Sequence, residues 1–461
     1  MTLQEINDLR REELIQIILA QAAQIAALQK EIEVLRLKLE KKQQNLPTNS
    51  KNSSQPPSQD QKPGRMVNRP KRKHGPAKGH EKHERKLVAQ PDHVVELKAE
   101  SCSDCRTDLS TQAAELIDVN QITELPLGKA EVIEVRQYGV TCQQCGHKEV
   151  MKPPEGLEME RTFGARLEAT VTYYRQEQHM SYERTEAALL ALHGVEISQG
   201  GIDQIMQRSG QQGIQAAADI QCTVQQSAVV NSDETGARVD GQKAWEWVFC
   251  TLTAILHVIK ATRGTNEILS VMGNHQPEVW GSDCLPAQLK AAAQRWQICL
   301  AHQLRNLQAV VELYPLVLWP KTMQALFRYA IHLHNQRDKL SINQYQAQVL
   351  RIEWLCNCLL NRTVTQPEIL KLQKRYLKHR QHLFVFLYRT DVPPTNNVSE
   401  RALRPSVIHR KVTGGFRSHW GADAYAALAS VIDTAELKGV NAFDALQCLI
   451  GKPALPIPFT P

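Results

Sequence analysis

The chain has 461 residues, 42% of them hydrophobic, and a formal net charge of +7. That length predicts about three domains rather than one, with apolar residues enough for a buried core. No apolar run reaches the roughly 18 residues that span a bilayer, and residues 1–13 are charged and lack the apolar stretch of a signal peptide. A polyanion partner is therefore expected to be nucleic acid rather than a membrane surface, and the eleven cysteines are expected to be reduced or metal-bound in a cytoplasmic protein.

Residues 11–42 follow a heptad, with Arg11, Ile18, Ile25, Ile32 and Leu39 at one seam position and Leu14, Gln21, Leu28, Leu35 and Lys42 at the other. Ile at one seam position and Leu at the other favours a parallel dimer, so residues 1–44 are expected to be a coiled-coil helix. The alternative is an amphipathic helix folded onto its own domain. Residues 45–92 form a Pro- and Ser-rich linker. Within them, 61–90 hold ten Lys or Arg against Glu81 and Glu84, so this stretch carries the chain's positive charge. A solvated tether is one reading; the other is an arm whose Lys71, Arg72 and Lys73 bind DNA phosphates without reading sequence.

Cys102-x-x-Cys105 and Cys142-x-x-Cys145 stand thirty-six residues apart around β-rich sequence such as 132–135. Four thiolates in two such knuckles predict a zinc ribbon over 93–156 holding one structural Zn²⁺; a redox dithiol would need only one pair. Gly146 suits the knuckle turn, where the first knuckle has Arg106. Residues 157–225 read as helical. A helix from Tyr182 to Leu192, a glycine turn at Gly194, and a second helix capped by Ser198 and running to about Arg208 resemble a helix-turn-helix, or equally a structural hairpin.

From Ala228 the pattern turns to strands, at 228–231, 245–251, 254–259, 279–282 and 296–300, with a helix at 266–272. Three strands, a helix, then two further strands match the order of a ribonuclease H-like α/β core. Residues 226–300 are its first part, a helical insertion covers 301–388, and 389–461 complete it, so the fold class expected is multidomain α+β.

Three acids carry the chemistry. Asp233 and Asp283 are each expected to end a strand, and Glu400 lies on a helix, in Asn396-Asn397-x-x-Glu400-Arg401-x-Leu403-Arg404. Carboxylates converging from such places suit Mg²⁺, and two such ions about 4 Å apart serve phosphoryl transfer. Spacing puts Asn397 and Arg404 on the Glu400 face; Arg401 and Arg404 are candidate DNA contacts, and Asn397, with Cys299 and His302, a candidate supporting group. The alternative for this helix is a solvated face with a simple ion pair. His302 and Arg305 also imitate the H-x-x-R of tyrosine recombinases, but Tyr314 and Tyr329 lack a partner set and that reading leaves the acids idle.

Taken together, the zipper, basic linker, paired knuckles, Ser232-Asp233-Glu234-Thr235, Ser282-Asp283, Cys299-x-x-His302 and the Asn-Asn-x-x-Glu-Arg run resemble the transposases of the insertion sequence 66 family over nearly the whole chain. The resemblance implies a DDE transposase of a bacterial insertion sequence, with Asp233, Asp283 and Glu400 as its metal-binding triad and two Mg²⁺ per site. It implies double-stranded DNA as partner, both terminal inverted repeats and target, with a homodimer or larger assembly and small accessory proteins of the same element. It also selects Asp233 over its neighbour Glu234, which a strand would point to the other face. Where relatives often have a Gly-Tyr-like continuation after Asp283, this chain has Cys284-Leu285-Pro286. The rival is a catalytically inactive DNA-binding protein derived from a transposase.

Overall fold

The computed structural model describes residues 87–123, 128–153, 156–158, 161–290 and 293–451, with isolated positions between 20 and 53. Lys71, Arg72 and Lys73 lie outside the described residues, as do Arg11, Leu14, Ile18, Leu35, Leu39 and Lys42. The seam positions that are described, Gln21, Ile25, Leu28 and Ile32, are helical and exposed. No helix among the described residues is long and apolar enough to cross a membrane.

The chain divides into two compact units. The smaller, Lys62–Ile133 with Ala188–Glu196, is largely irregular over its described residues and contains the first cysteine pair. There the Arg106 N–H donates to the Cys102 carbonyl (2.9 Å), closing a turn in which Arg106 has φ of 61°. The second pair lies in the larger unit, on a hairpin of β1 (Gly139–Thr141) and β2 (Lys148–Val150). It repeats the same local turn, with Gly146 N–H on the Cys142 carbonyl (2.8 Å) and Gly146 at φ 74°. Residues 132–135, read above as β-rich, are irregular and mostly exposed; the strands form instead beside the second knuckle, where its turn sets the register.

Between residues 165 and 224 lie three helices: α1 (Ala165–Gln176), α2 (Tyr182–His193) and α3 (Gln199–Val224). The glycine turn at Gly194 has φ of 65°, and the Ser198 hydroxyl accepts from Gly201 N–H (3.1 Å) as a helix cap. α3 runs well past Arg208. Its Gly210 and Gly213 are places of close approach: a Cβ there would come 2.6 Å from Ala424 Cβ and 3.1 Å from Leu428 Cδ2.

Five strands form the central sheet: β3 (Val229–Val239), β4 (Gln242–Cys250), β5 (Ile255–Lys260), β6 (Val279–Ser282) and β7 (Arg295–Ile298), in the order β5-β4-β3-β6-β7. The first three make an antiparallel meander, while β6 and β7 run parallel to β3. Asp240 and Gly241, both at positive φ, make the two-residue turn between β3 and β4, the conformation that matches the twist of a hairpin. Helix α4 (Thr265–Met272) crosses from β5 to β6.

Alternation sorts the two faces. Val230, Trp247, Phe249, Leu256 and Trp280 are buried with Ile268, Val271 and Met272 of α4 and with Val224 of α3. On the opposite face, Val248, Cys250 and Ile255 pack on Ala402 and Leu403 of α9 (Asn397–Thr413), and Ala237, Val239 and Ala244 on Ala422 of α10 (His419–Leu437). The last helix is α11 (Ala442–Ile450). α10 also seals the outer edge of β5. Its Thr434 hydroxyl bonds both Ile255 N–H and C=O (3.0 Å each), and Ser430 Oγ accepts from His257 N–H (2.8 Å). Those backbone groups would otherwise be open to another strand.

The stretch between β7 and α9 is helical as expected, with α5 (Leu300–Leu313), α6 (Leu318–Asn335), α7 (Ile342–Leu360) and α8 (Pro367–Lys378). It has its own core, in which Trp319, Phe327, Tyr376, Phe384 and Phe386 are buried.

Candidate active site

Asp233 lies in the interior of β3 and not at its end, because the strand continues past it as the hairpin with β4. It is nevertheless where parallel pairing stops: β3 matches β6 only from Val229↔Val279 to Asn231↔Gly281. Extending that register sets Asp233 opposite Asp283, which follows the last residue of β6. Gly281 leaves room here for the close approach of the Asn231 side chain; a Cβ there would stand 2.0 Å from Asn231 Oδ1. Gly281→Ala is therefore expected to destabilise the protein by about 1–3 kcal/mol through overpacking, read by urea unfolding. Adding Asn231→Ala should recover most of that loss; no recovery would show that the close approach is not the cause.

Glu234 faces the other way, as alternation requires. Its carboxylate is bonded by Arg263 Nε (2.7 Å) and Gln288 Nε2 (2.6 Å) on the α4 side. Asp233 faces α9. Its carboxyl is held well above the usual range, first by burial and then by the negative charges of Glu234, Asp283 and Glu400. Asp283 accepts from Leu285 N–H (2.7 Å), fixing the turn that follows β6.

Glu400 lies in the first turn of α9, where the helix dipole favours an acid. The asparagine that positions this helix is Asn396, one residue earlier than the expected Asn397, which is exposed. Asn396 is 2% exposed; its Nδ2 donates to the Ser232 carbonyl (2.8 Å), its N–H to Cys299 Sγ (3.1 Å), and its Oδ1 accepts from Ser399 Oγ (2.8 Å). One residue thus ties the start of α9 to β3 beside Asp233 through its side chain and to the end of β7 through its backbone N–H.

Arg305 Nη2 donates to Glu400 Oε1 (2.7 Å), and His302 Nδ1 lies 3.5 Å from the same oxygen. Cys299, His302 and Glu400 each bring one possible ligand atom within 4.8 Å of the others. Cys299, however, is buried, which pushes its thiol up to about 11, and its sulfur already serves as acceptor for Asn396. Its role here is to hold α9 in place. Arg401 and Arg404 are exposed on α9. Tyr314 and Tyr329 are bonded to Glu368 and Gln348 within the helical insertion, and Arg305 is bound to Glu400, which leaves the tyrosine-recombinase arrangement unassembled.

Among the described residues the ligand atoms that gather within 4.8 Å are those of Cys299, His302 and Glu400, and Asp233 and Asp283 stand outside that set. Asp233 nevertheless feels the negative charges of Asp283 and Glu400, and carboxylate oxygens are the ligand type that suits Mg²⁺. Arg305 now supplies the positive charge that balances Glu400.

Sequence reasoning missed one buried constellation on the α9 face. His257 Nδ1 is 2.9 Å from Glu246 Oε1, its Nε2 is 2.9 Å from Asp433 Oδ2, and Ser406 Oγ of α9 donates to Glu246 Oε1 (2.6 Å). The signal was present: Glu246 and His257 interrupt apolar strands, and buried polar groups of that kind must find partners.

A five-stranded mixed sheet joined to a helical insertion makes this a mixed α+β protein. The family model described as Transposase IS66 family matches residues 160–424, and the chain belongs to that family. A family of unknown function, DUF6444, matches residues 3–86. No curated protein matches the chain.

Proposed function

We propose that this protein is a DNA transposase of the three-acid type that binds the terminal inverted repeats of its own element, cuts there, and joins the new end to target DNA. The observation that supports this reading is that Asp233 on β3 feels the negative charges of Asp283, which follows β6, and of Glu400 on α9, in a member of the IS66 transposase family. The sheet order, with a helical insertion before α9, supports a ribonuclease H-like core.

The three carboxylates would hold two Mg²⁺, which when bound supply activation of the attacking oxygen and stabilisation of the leaving one. Asn396 and Cys299 orient Glu400, and Asp283 is fixed by its turn. Cleavage forms a bond from water oxygen to phosphorus and breaks the bond to the 3′ oxygen, which leaves as a hydroxyl. In strand transfer that hydroxyl attacks a target phosphodiester and displaces another 3′ oxygen, so one phosphodiester forms for each broken. Arg401 and Arg404, exposed beside Glu400, would meet phosphates. The charged arm with Lys71, Arg72 and Lys73 would cling to the duplex backbone, and the exposed zipper seam would pair two copies so that both ends are held together.

A cleavage assay on end-bearing DNA with Mg²⁺, wild type against Asp233→Asn, tests the reading. Wild-type cleavage lost in the variant supports it; end binding without cleavage by the wild type would identify an inactive derivative. Cys102, Cys105, Cys142 and Cys145 are proposed to hold one structural zinc, so elemental analysis of purified protein should find about one zinc per chain. A zinc-free protein whose melting is unchanged by chelator would remove that assignment.

A further inference from the structure

A groove of about 830 Å³ opens beside β7 and the C-terminal end of α8, away from the residues assigned above. Its one acid, Glu353, is already engaged: it forms an ion pair with Arg380 and accepts from the Tyr388 hydroxyl (3.1 Å). Arg380 is held further by Asn357 Oδ1 (2.8 Å). Two other cations line the groove, Arg295 and Lys378; both are exposed, and neither has an ion-pair partner among the described residues. The wall also presents Tyr388 and Leu377, 58% and 49% exposed. Tyr388 is steadied through its hydroxyl, so its ring offers a face at little further cost in freedom. Lys371 and Lys374 are exposed on α8, and spacings of three and four residues keep them in line with Lys378.

We infer that this groove binds single-stranded nucleic acid, a strand freed from the duplex in the reaction proposed above, on which reading the inference rests. Unpaired cations beside an exposed aromatic ring are the two elements such sites combine: charge follows the backbone and bases stack without regard to sequence. The volume is that of a pocket enclosing a small ligand, which suits a short run of nucleotides and not a duplex. The side-chain amide of Gln297 on β7 is bonded to the backbone of Leu383 (3.2 Å) and Phe386 (3.1 Å), which fixes the wall of the groove at Phe384 and Val385.

The test uses full-length protein, a labelled oligothymidylate and a duplex of equal length, with anisotropy followed over a range of salt. Tyr388→Ala is expected to weaken oligothymidylate binding roughly tenfold, Tyr388→Phe to keep it, and the duplex affinity to stay unchanged in both. Arg295→Glu with Lys378→Glu should lower the log-log salt slope for the single strand by about 0.7 for each cation. Thermal melting confirms that each variant is folded. Variants that bind oligothymidylate as the wild type does would overturn the inference and leave the groove to a protein partner. Equal losses on both nucleic acids would overturn its single-strand character. A wild type that binds neither would overturn the function proposed above as well.

Discussion

Asp233→Asn is expected to lower DNA strand cleavage by at least about a thousandfold, the scale of losing charge stabilisation in a metal-assisted transition state. Without divalent cation, the same change is expected to raise the melting temperature. The sign follows from the raised carboxyl of Asp233. Its charged form is disfavoured in the folded state, so its destabilising effect begins as pH rises above the ordinary 3.8 and is complete above the folded-state value. A neutral amide has no such effect. Adding Mg²⁺ or Mn²⁺ should then stabilise the wild type and not the variant. Arg305→Ala should act in the opposite sense on the metal, tightening Mn²⁺ binding about two- to fivefold by removing a competing ion pair. An Asp233→Asn protein that melts lower than wild type at neutral pH, or that still gains stability from Mn²⁺ as the wild type does, would show that Asp233 is not part of a cation site.

His257→Leu is expected to cost about 3–5 kcal/mol, because it takes the shared partner from the buried carboxylate of Glu246 and the half-buried one of Asp433. Burial alone would lower the His257 pKa; the hydrogen bonds and charges of Asp433 and Glu246 outweigh it and raise it to about 10. A folded-state value above the ordinary 6.5 means that the stabilisation is complete below 6.5 and is lost as pH rises through about 10. Wild-type stability, read by urea unfolding, should therefore fall across that range and the variant's should fall less. Equal stability of the two proteins at pH 6 would remove the ion triad as a structural element.

Much of this was legible in the sequence. β6 and α4 stand where short β-branched runs and a helical period put them. The extent of β3 was not legible, since Ser232-Asp233-Glu234-Thr235-Gly236 is polar and pairs with β4 only because Trp245, Trp247 and Phe249 cover or flank it. The phase of α9 was missed by one residue for a related reason. Two adjacent asparagines carry no mark of which one starts the helix; that is decided by the Ser232 carbonyl and Cys299 sulfur, distant in sequence. His302 and Arg305 were visible as a spacing, but the acid they face lies 95 residues beyond Arg305. Lys378 and Arg295 likewise become neighbours only when the helical insertion folds back on β7.

Asn396 reaches Ser232 across 164 residues, and Thr434 reaches Ile255 across 179. On a ribosome adding about 5–20 residues per second, β3 to β5 therefore emerge on the order of ten seconds before the helices that close over them. Throughout that interval Asp233 has no Glu400, and the edge of β5 has no cover. A nascent or prematurely terminated chain is thus incapable of the chemistry proposed for the finished one, and the same delay makes the uncovered β5 edge the point at which such chains would aggregate.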